Sequence, residues 1–195
     1  DTNYIKNVVA YYRRAVDEAL AVRPGFVRSS AGESVPDFTP DPSKSFTRGE
    51  SEYFFAGKRP GVASFDTPKA VGEYVGRVAK VFGNGFTLLG EAELAPGDGI
   101  CFITPHGVTG TNVNAAEGRR IVPNRMEGIV AGAEVYRNSD RLFNLRLERS
   151  RTRRVIPAKA AAEATAEGLK LTYTDCEGVA AAAVRAVRLD PAKNP

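Results

Sequence analysis

A chain of 195 residues, 43% of them hydrophobic, can bury a core and suits one or two domains. No apolar run approaches the roughly 18 residues that span a bilayer, and no signal-type n-region and h-region open it. Lys and Arg outnumber Asp and Glu by 27 to 23. That mildly basic +4 bears on solubility and partners, not on fold.

Residues 3 to 21 predict one amphipathic helix. Ile5, Val8, Val9, Tyr12, Val16, Ala19 and Leu20 recur at helical spacing, with Lys6, Arg13, Arg14 and Asp17 on the other side. Asp1 or Thr2 caps it and Pro24-Gly25 ends it. A helix of this length is marginal alone in water, so its stripe is expected to bury Val9, Tyr12 and Val16 on a neighbour. The chain opens straight into this helix without an initiator Met, which reads as an excised fragment.

Ser, Gly and Pro break any periodicity across residues 28 to 45, and a second short helix is predicted over 48 to 56, with Thr47 as its cap. Barrel strands follow over 74–82, 86–93, 99–104, 111–122 and 133–137. In the first, Val75, Arg77, Ala79 and Val81 alternate with Gly76, Val78 and Lys80. Asn84-Gly85 is the signal of a type I′ hairpin, whose two central residues take positive φ. Pro96-Gly-Asp-Gly99 turns the chain into apolar Ile100-Cys-Phe-Ile103, a corner of the kind that closes small barrels.

Residues 140 to 148 read as a helix. Beyond it, the Ala-rich run 157–166 is helical by propensity, yet Leu169-Lys-Leu-Thr-Tyr-Thr174 alternates and Asp175 to Gly178 turns back towards Val179–Val187. A lone hairpin is marginal, so a third strand is expected from 153–165. The fold class is therefore mainly β with flanking helices (α+β), a small β-barrel plus a C-terminal antiparallel β unit. Its expected parts are 1–60, an N-terminal helix and loop; 61–138, the barrel; and 139–195, a helix and the β unit.

Few residues here suit catalysis. His106 is the single histidine and sits in a turn with no nucleophile elbow around it. One His with the distant Cys101 and Cys176 cannot make a zinc set, and no calcium-loop spacing occurs. The two cysteines read as free thiols in a reducing cytosol. The glycine-rich turns precede no helix, as phosphate loops would. No catalytic residue, metal site or cofactor is expected in this stretch.

Basic residues group more tellingly. Arg146, Arg149, Arg151, Arg153 and Arg154 form one cluster, Arg119, Arg120 and Arg125 a second, and Arg48, Lys58 and Arg59 a third. On one face they would follow a nucleic-acid backbone. Alternatively Glu148, Asp140 and Glu127 neutralise them as weak surface pairs. Aromatic interleaving is thin, so no base-stacking platform is evident.

Phe46-Thr-Arg-Gly49, Gly57-Lys-Arg59, Val75-Gly-Arg-Val78, Pro96-Gly-Asp-Gly-Ile100 and Pro123-Asn-Arg-Met126, in this order, resemble an accessory "collagenase" domain. The domain is that of the collagenase-like proteases, family thirty-two among peptidases of unknown catalytic type. Val135-Tyr-Arg-Asn138, Thr152-Arg-Arg-Val-Ile156 and the helix around Tyr11-Tyr-Arg-Arg-Ala-Val-Asp17 fit as well, so the likeness covers most of residues 3 to 178. The resemblance implies a catalytic domain of the parent chain as partner, which would carry the active centre and an iron–sulfur cluster. None of its cysteines matches here.

The leading expectation is a non-catalytic accessory domain, substrate-engaging or architectural, of a collagenase-like protease. The alternative is an RNA-binding accessory domain of an RNA-hydroxylating member of the same family. Expected partners are RNA or a protein substrate, no membrane, and a second copy in a weak homodimer through the first helix. A cytoplasmic location follows from the same reading.

Overall fold

A computed structural model describes residues 1–26, 32–47, 51–57, 67–104 and 107–187. In chain order the elements are helix α1 (Thr2–Ala21), β1 (Glu33–Ser34), a 3₁₀ turn (Pro42–Lys44), β2 (Glu73–Phe82), β3 (Gly85–Leu89), β4 (Gly99–Thr104), β5 (Gly107–Glu117), β6 (Arg120–Pro123), β7 (Glu134–Ser139), helix α2 (Arg141–Arg149), β8 (Arg154–Val155), β9 (Ala158–Thr165), β10 (Gly168–Asp175) and β11 (Ala180–Arg185). They divide into two compact units, one of Asp1–Tyr12 with Phe38–Ser150, the other of Arg13–Asp37 with Arg151–Pro195.

The first unit holds a closed barrel of strand order β2-β3-β6-β5-β4-β7, antiparallel throughout. Consecutive β4, β5 and β6 pair as hairpins, and β7 returns beside β4, which is a Greek-key connection. Val75, Val78, Phe86, Leu88, Ile100, Phe102, Ile121 and Val135 fill the interior, with Phe86 and Phe102 edge to face at 5.9 Å. Closure leaves this sheet without an open edge.

The expected alternation along the first strand fails, for a visible reason. Val75, Gly76 and Val78 are buried while Arg77, Ala79, Lys80 and Val81 are exposed. The pairing register slips between Tyr74 and Gly76 against β7, and again between Val78 and Lys80 against β3. Each bulge inserts one extra residue and breaks the period of two. Gly76 sits at the first bulge with φ +141, where a Cβ would lie 2.4 Å from the Leu89 carbonyl oxygen.

The hairpin after β2 also differs from expectation. It turns on Gly83-Asn84, and none of Gly83, Asn84 or Gly85 takes a positive φ, so it is not type I′. Gly85 is required for space instead, since a Cβ there would meet the Ile121 carbonyl oxygen at 2.4 Å. The single strand expected over 111–122 is two, β5 and β6, which turn at Gly118. Strand β3 stops at Leu89, so Glu91 and Glu93 lie in a loop. Residues 51–57 form turns rather than a helix, and Tyr53 has φ +49, which a right-handed helix excludes. The rest of that expected helix, 48–50, lies outside the described residues.

Helix α1 does not bury the stripe its spacing suggests. Val9, Tyr12 and Val16 are 61%, 63% and 48% exposed. Its anchor is polar. Asn7 is fully buried, donating to the Asp41 carbonyl and to Ser45 Oγ at 2.6 Å each and accepting the Asp41 N–H at 2.8 Å. Lys6 reaches the carbonyls of Leu147 and Ser150, and Ala10 packs on a small core of Phe38, Phe143 and Leu147.

In the second unit β11-β10-β9 form a three-stranded antiparallel sheet, so the Ala-rich 158–165 is strand despite its helix propensity. Pairing with β10 along its whole length decides this. β1 pairs with β8, and Asp37 is bonded by the Arg151 N–H and by Thr152. Cys101 is buried, Cys176 is exposed, and both are free thiols.

Candidate nucleic-acid interface

The two bulges of β2 space its outward residues by three. Tyr74, Arg77 and Lys80 all face solvent, and residues directly opposite them share that face. Tyr74 lies opposite Tyr136, Arg77 opposite Glu134 and Leu89, and Lys80 opposite Thr87, which in turn faces Arg120 on β6. The guanidinium of Arg120 stands over the Phe82 ring, 4.4 Å from its centroid. Together these side chains make one outer stripe along the barrel.

Its carboxylate is already engaged. Glu134 accepts from Arg77 Nη2 at 2.6 Å and from the Tyr136 hydroxyl at 2.8 Å. Burial pushes the Tyr136 phenol up to about 12, and its bond to Glu134 adds to the rise, so it remains a neutral donor. Tyr74 is half exposed and meets Tyr136 edge-on at 5.5 Å. Glu117, opposite Arg120 on β5, flanks the far end.

Of the basic residues singled out from sequence, those within the described residues are exposed. Arg119 and Arg120 adjoin at the β5–β6 turn, and both are exposed. Arg125 is exposed past the other end of β6, with its backbone N–H on Thr111. Arg149 lies exposed in the last turn of α2. Arg151, Arg153 and Arg154 belong to the second compact unit and are exposed. Arg48, Lys58, Arg59 and His106 fall outside the described residues. Lys80 and Arg77, absent from the sequence candidates, are the cations that share a face with Arg120. Bulge spacing hid them, because a plain alternation places Arg77 and Lys80 on opposite faces.

Asp140 does not neutralise surface arginines. It is buried, caps α2 through the Phe143 N–H at 2.8 Å, and pairs with Lys44 at 2.8 Å. Arg137, also buried, contacts Glu73 at 2.8 Å and both Asp98 and Asp140 at 3.5 Å. Asp98 in turn accepts the N–H groups of Ala95 and Arg141. Three carboxylates thus surround one guanidinium, and among the described residues every buried side-chain polar atom is partnered, an arrangement for holding the fold rather than for proton transfer. Among the described residues no three His, Cys, Asp or Glu cluster as a metal site, and no helix is long and apolar enough to cross a membrane.

No protein-family model matches the chain, and no solved structure matches it significantly. A curated protein does. The 23S rRNA 5-hydroxycytidine C2501 synthase of Escherichia coli strain K12 is 30% identical over 203 aligned residues, which take in 100% of this chain. The chain is similar to part of an RNA-modifying enzyme. It spans 31% of that synthase's length. The match supports the broad family resemblance carried by the motifs. It lends nothing to the collagen-degrading side of that resemblance, and the leading expectation of a protease domain gives way to the RNA alternative.

Proposed function

We propose that this chain is an accessory, RNA-engaging part of an RNA-hydroxylating protein that acts on ribosomal RNA. The observation that carries the reading is the match to an rRNA 5-hydroxycytidine synthase along the entire chain. A basic balance of +4 and exposed arginines on the barrel suit a polyanionic partner. The reaction itself is assigned to a catalytic domain elsewhere in the parent protein, and no residue here is given a catalytic role.

The reading is tested by titrating the chain into fluorescently labelled 23S rRNA fragments and, in parallel, into a triple-helical collagen peptide. RNA binding is expected at low salt, with log K falling linearly as log salt rises, because phosphate contacts release counterions. Absence of RNA binding at low salt, or cleavage of the collagen peptide, overturns the proposal.

A further inference from the structure

We propose that the outer face of β2, from Tyr74 to Phe82, is a track for an unpaired RNA segment. Arg77, Lys80 and Arg120 would hold its phosphates and Tyr74 would stack on a base. The inference rests on the RNA reading above and names the surface that serves it.

Geometry supports the track in three ways. Set against its partner strands, the stretch from Tyr74 to Phe82 spans Tyr136 to Glu134 and then Leu89 to Gly85, about 20 Å at strand rise, which matches on the order of three to four nucleotides, the low end of sites on small barrels. Arg77 and Lys80, opposite Leu89 and Thr87, are about 7 Å apart along β2, and Arg120 stands two strands from Lys80, about 10 Å. The three cations are thus spread along one path instead of crowding one spot. Two of the participating groups are also held in advance. Phe82 supports the Arg120 guanidinium, and Tyr136 fixes the Tyr74 ring from its edge, so less side-chain freedom is lost on binding.

Charge decides the partner's class. Arg77 is paired to Glu134 through an exposed bridge of little net worth, which a phosphate oxygen can replace. Arg offers phosphate a bidentate contact, and Lys80 adds a point charge. The exposed Tyr74 ring argues for an unpaired strand, since a duplex hides its base faces in the stack.

The probe is a labelled, unstructured RNA of about ten nucleotides, followed by anisotropy against salt, with an RNA duplex of the same length beside it. Lys80→Gln with Arg120→Gln, both at exposed positions, is expected to weaken binding at least about tenfold. It should also flatten the salt slope by about 0.7 for each contact removed. Tyr74→Ala is expected to weaken single-strand binding about tenfold and leave the salt slope unchanged. Lys159→Gln with Lys170→Gln, which removes equal charge from the three-stranded sheet, is expected to bind as the parent chain does. Wild-type affinity in the Lys80/Arg120 variant, an equal loss in the sheet variant, or tighter binding to the duplex overturns the track while leaving the RNA reading intact. Absence of any RNA binding overturns both.

Discussion

The carboxylate of Asp98 accepts the backbone N–H of Arg141 at 2.9 Å, joining the Pro-Gly-Asp-Gly corner to the first turn of α2. Its other oxygen accepts the Ala95 N–H and stands 3.5 Å from Arg137 Nη1. Asp98 is wholly buried. One side chain therefore closes a turn, starts a helix and compensates a buried cation. Asp98→Ala leaves two N–H groups unpaired and part of the Arg137 charge uncompensated, and is expected to destabilise by about 3 to 5 kcal/mol. Asp98→Asn keeps the shape and loses less. Urea unfolding of both variants checks this, and an Ala variant within about 1 kcal/mol of the parent would show the pair to be dispensable.

Acid should weaken the fold through Asp140. Burial by itself pushes that carboxyl up, but the Lys44 hydrogen bond, the Phe143 N–H and the charges of Arg137 and Lys44 outweigh it and hold it below the ordinary aspartate value. A carboxyl depressed in the fold contributes stability in full above its unfolded pKa and loses it as pH falls through the folded one. Urea midpoints are expected to hold steady from neutral pH to about 5 and then drop towards pH 2. Asp140→Asn should be weaker at neutral pH and flatter below 4. Parallel curves for the two proteins would contradict this.

Glycines of the β2–β3 hairpin separate two requirements that sequence cannot tell apart. Gly83 has open space where a Cβ would stand and no positive φ, so Gly83→Ala is expected to change stability by less than about 0.5 kcal/mol. At Gly85 the same methyl would stand 2.4 Å from the Ile121 carbonyl oxygen, which is backbone and cannot swing aside. Gly85→Ala is expected to cost about 1 to 3 kcal/mol as overpacking. Thermal melts of the two variants decide it, and equal melting temperatures would refute the close approach.

What the sequence disclosed was mostly local. Leu142, Phe143, Leu145 and Leu147 mark a helix over 140–148, whose cap by Asp140 the structure adds, and Pro96 to Gly99 marks a corner. Strand identity for 158–165 came from the need of Leu169–Thr174 for a partner and from the family resemblance, against local propensity. Features set by pairing register escaped. Bulges beside Gly76 and Ala79 move Arg77 and Lys80 to one face, and the association of Arg137 with Glu73, Asp98 and Asp140 joins residues remote in the chain. Arg120 and Arg125, grouped in sequence, flank opposite ends of one short strand. The exposed face itself became visible only through β2's neighbours.

Helix α1 gives the last test, because its anchoring residue is the one a hydrophobic pattern ignores. Asn7 makes three hydrogen bonds to Asp41 and Ser45 from a fully buried position, whereas Val9 and Val16 are mainly exposed. Asn7→Ala strands the Asp41 N–H and leaves the Asp41 carbonyl only the Lys44 N–H, and is expected to cost about 1 to 3 kcal/mol. Val9→Asp with Val16→Asp places polar groups where water already reaches. It should leave the melting temperature within a degree or two, since both residues have similar helix propensity. Calorimetry on the two variants reads this directly. A double Asp variant that melts far lower, with Asn7→Ala unchanged, would mean that the apolar stripe holds the helix after all.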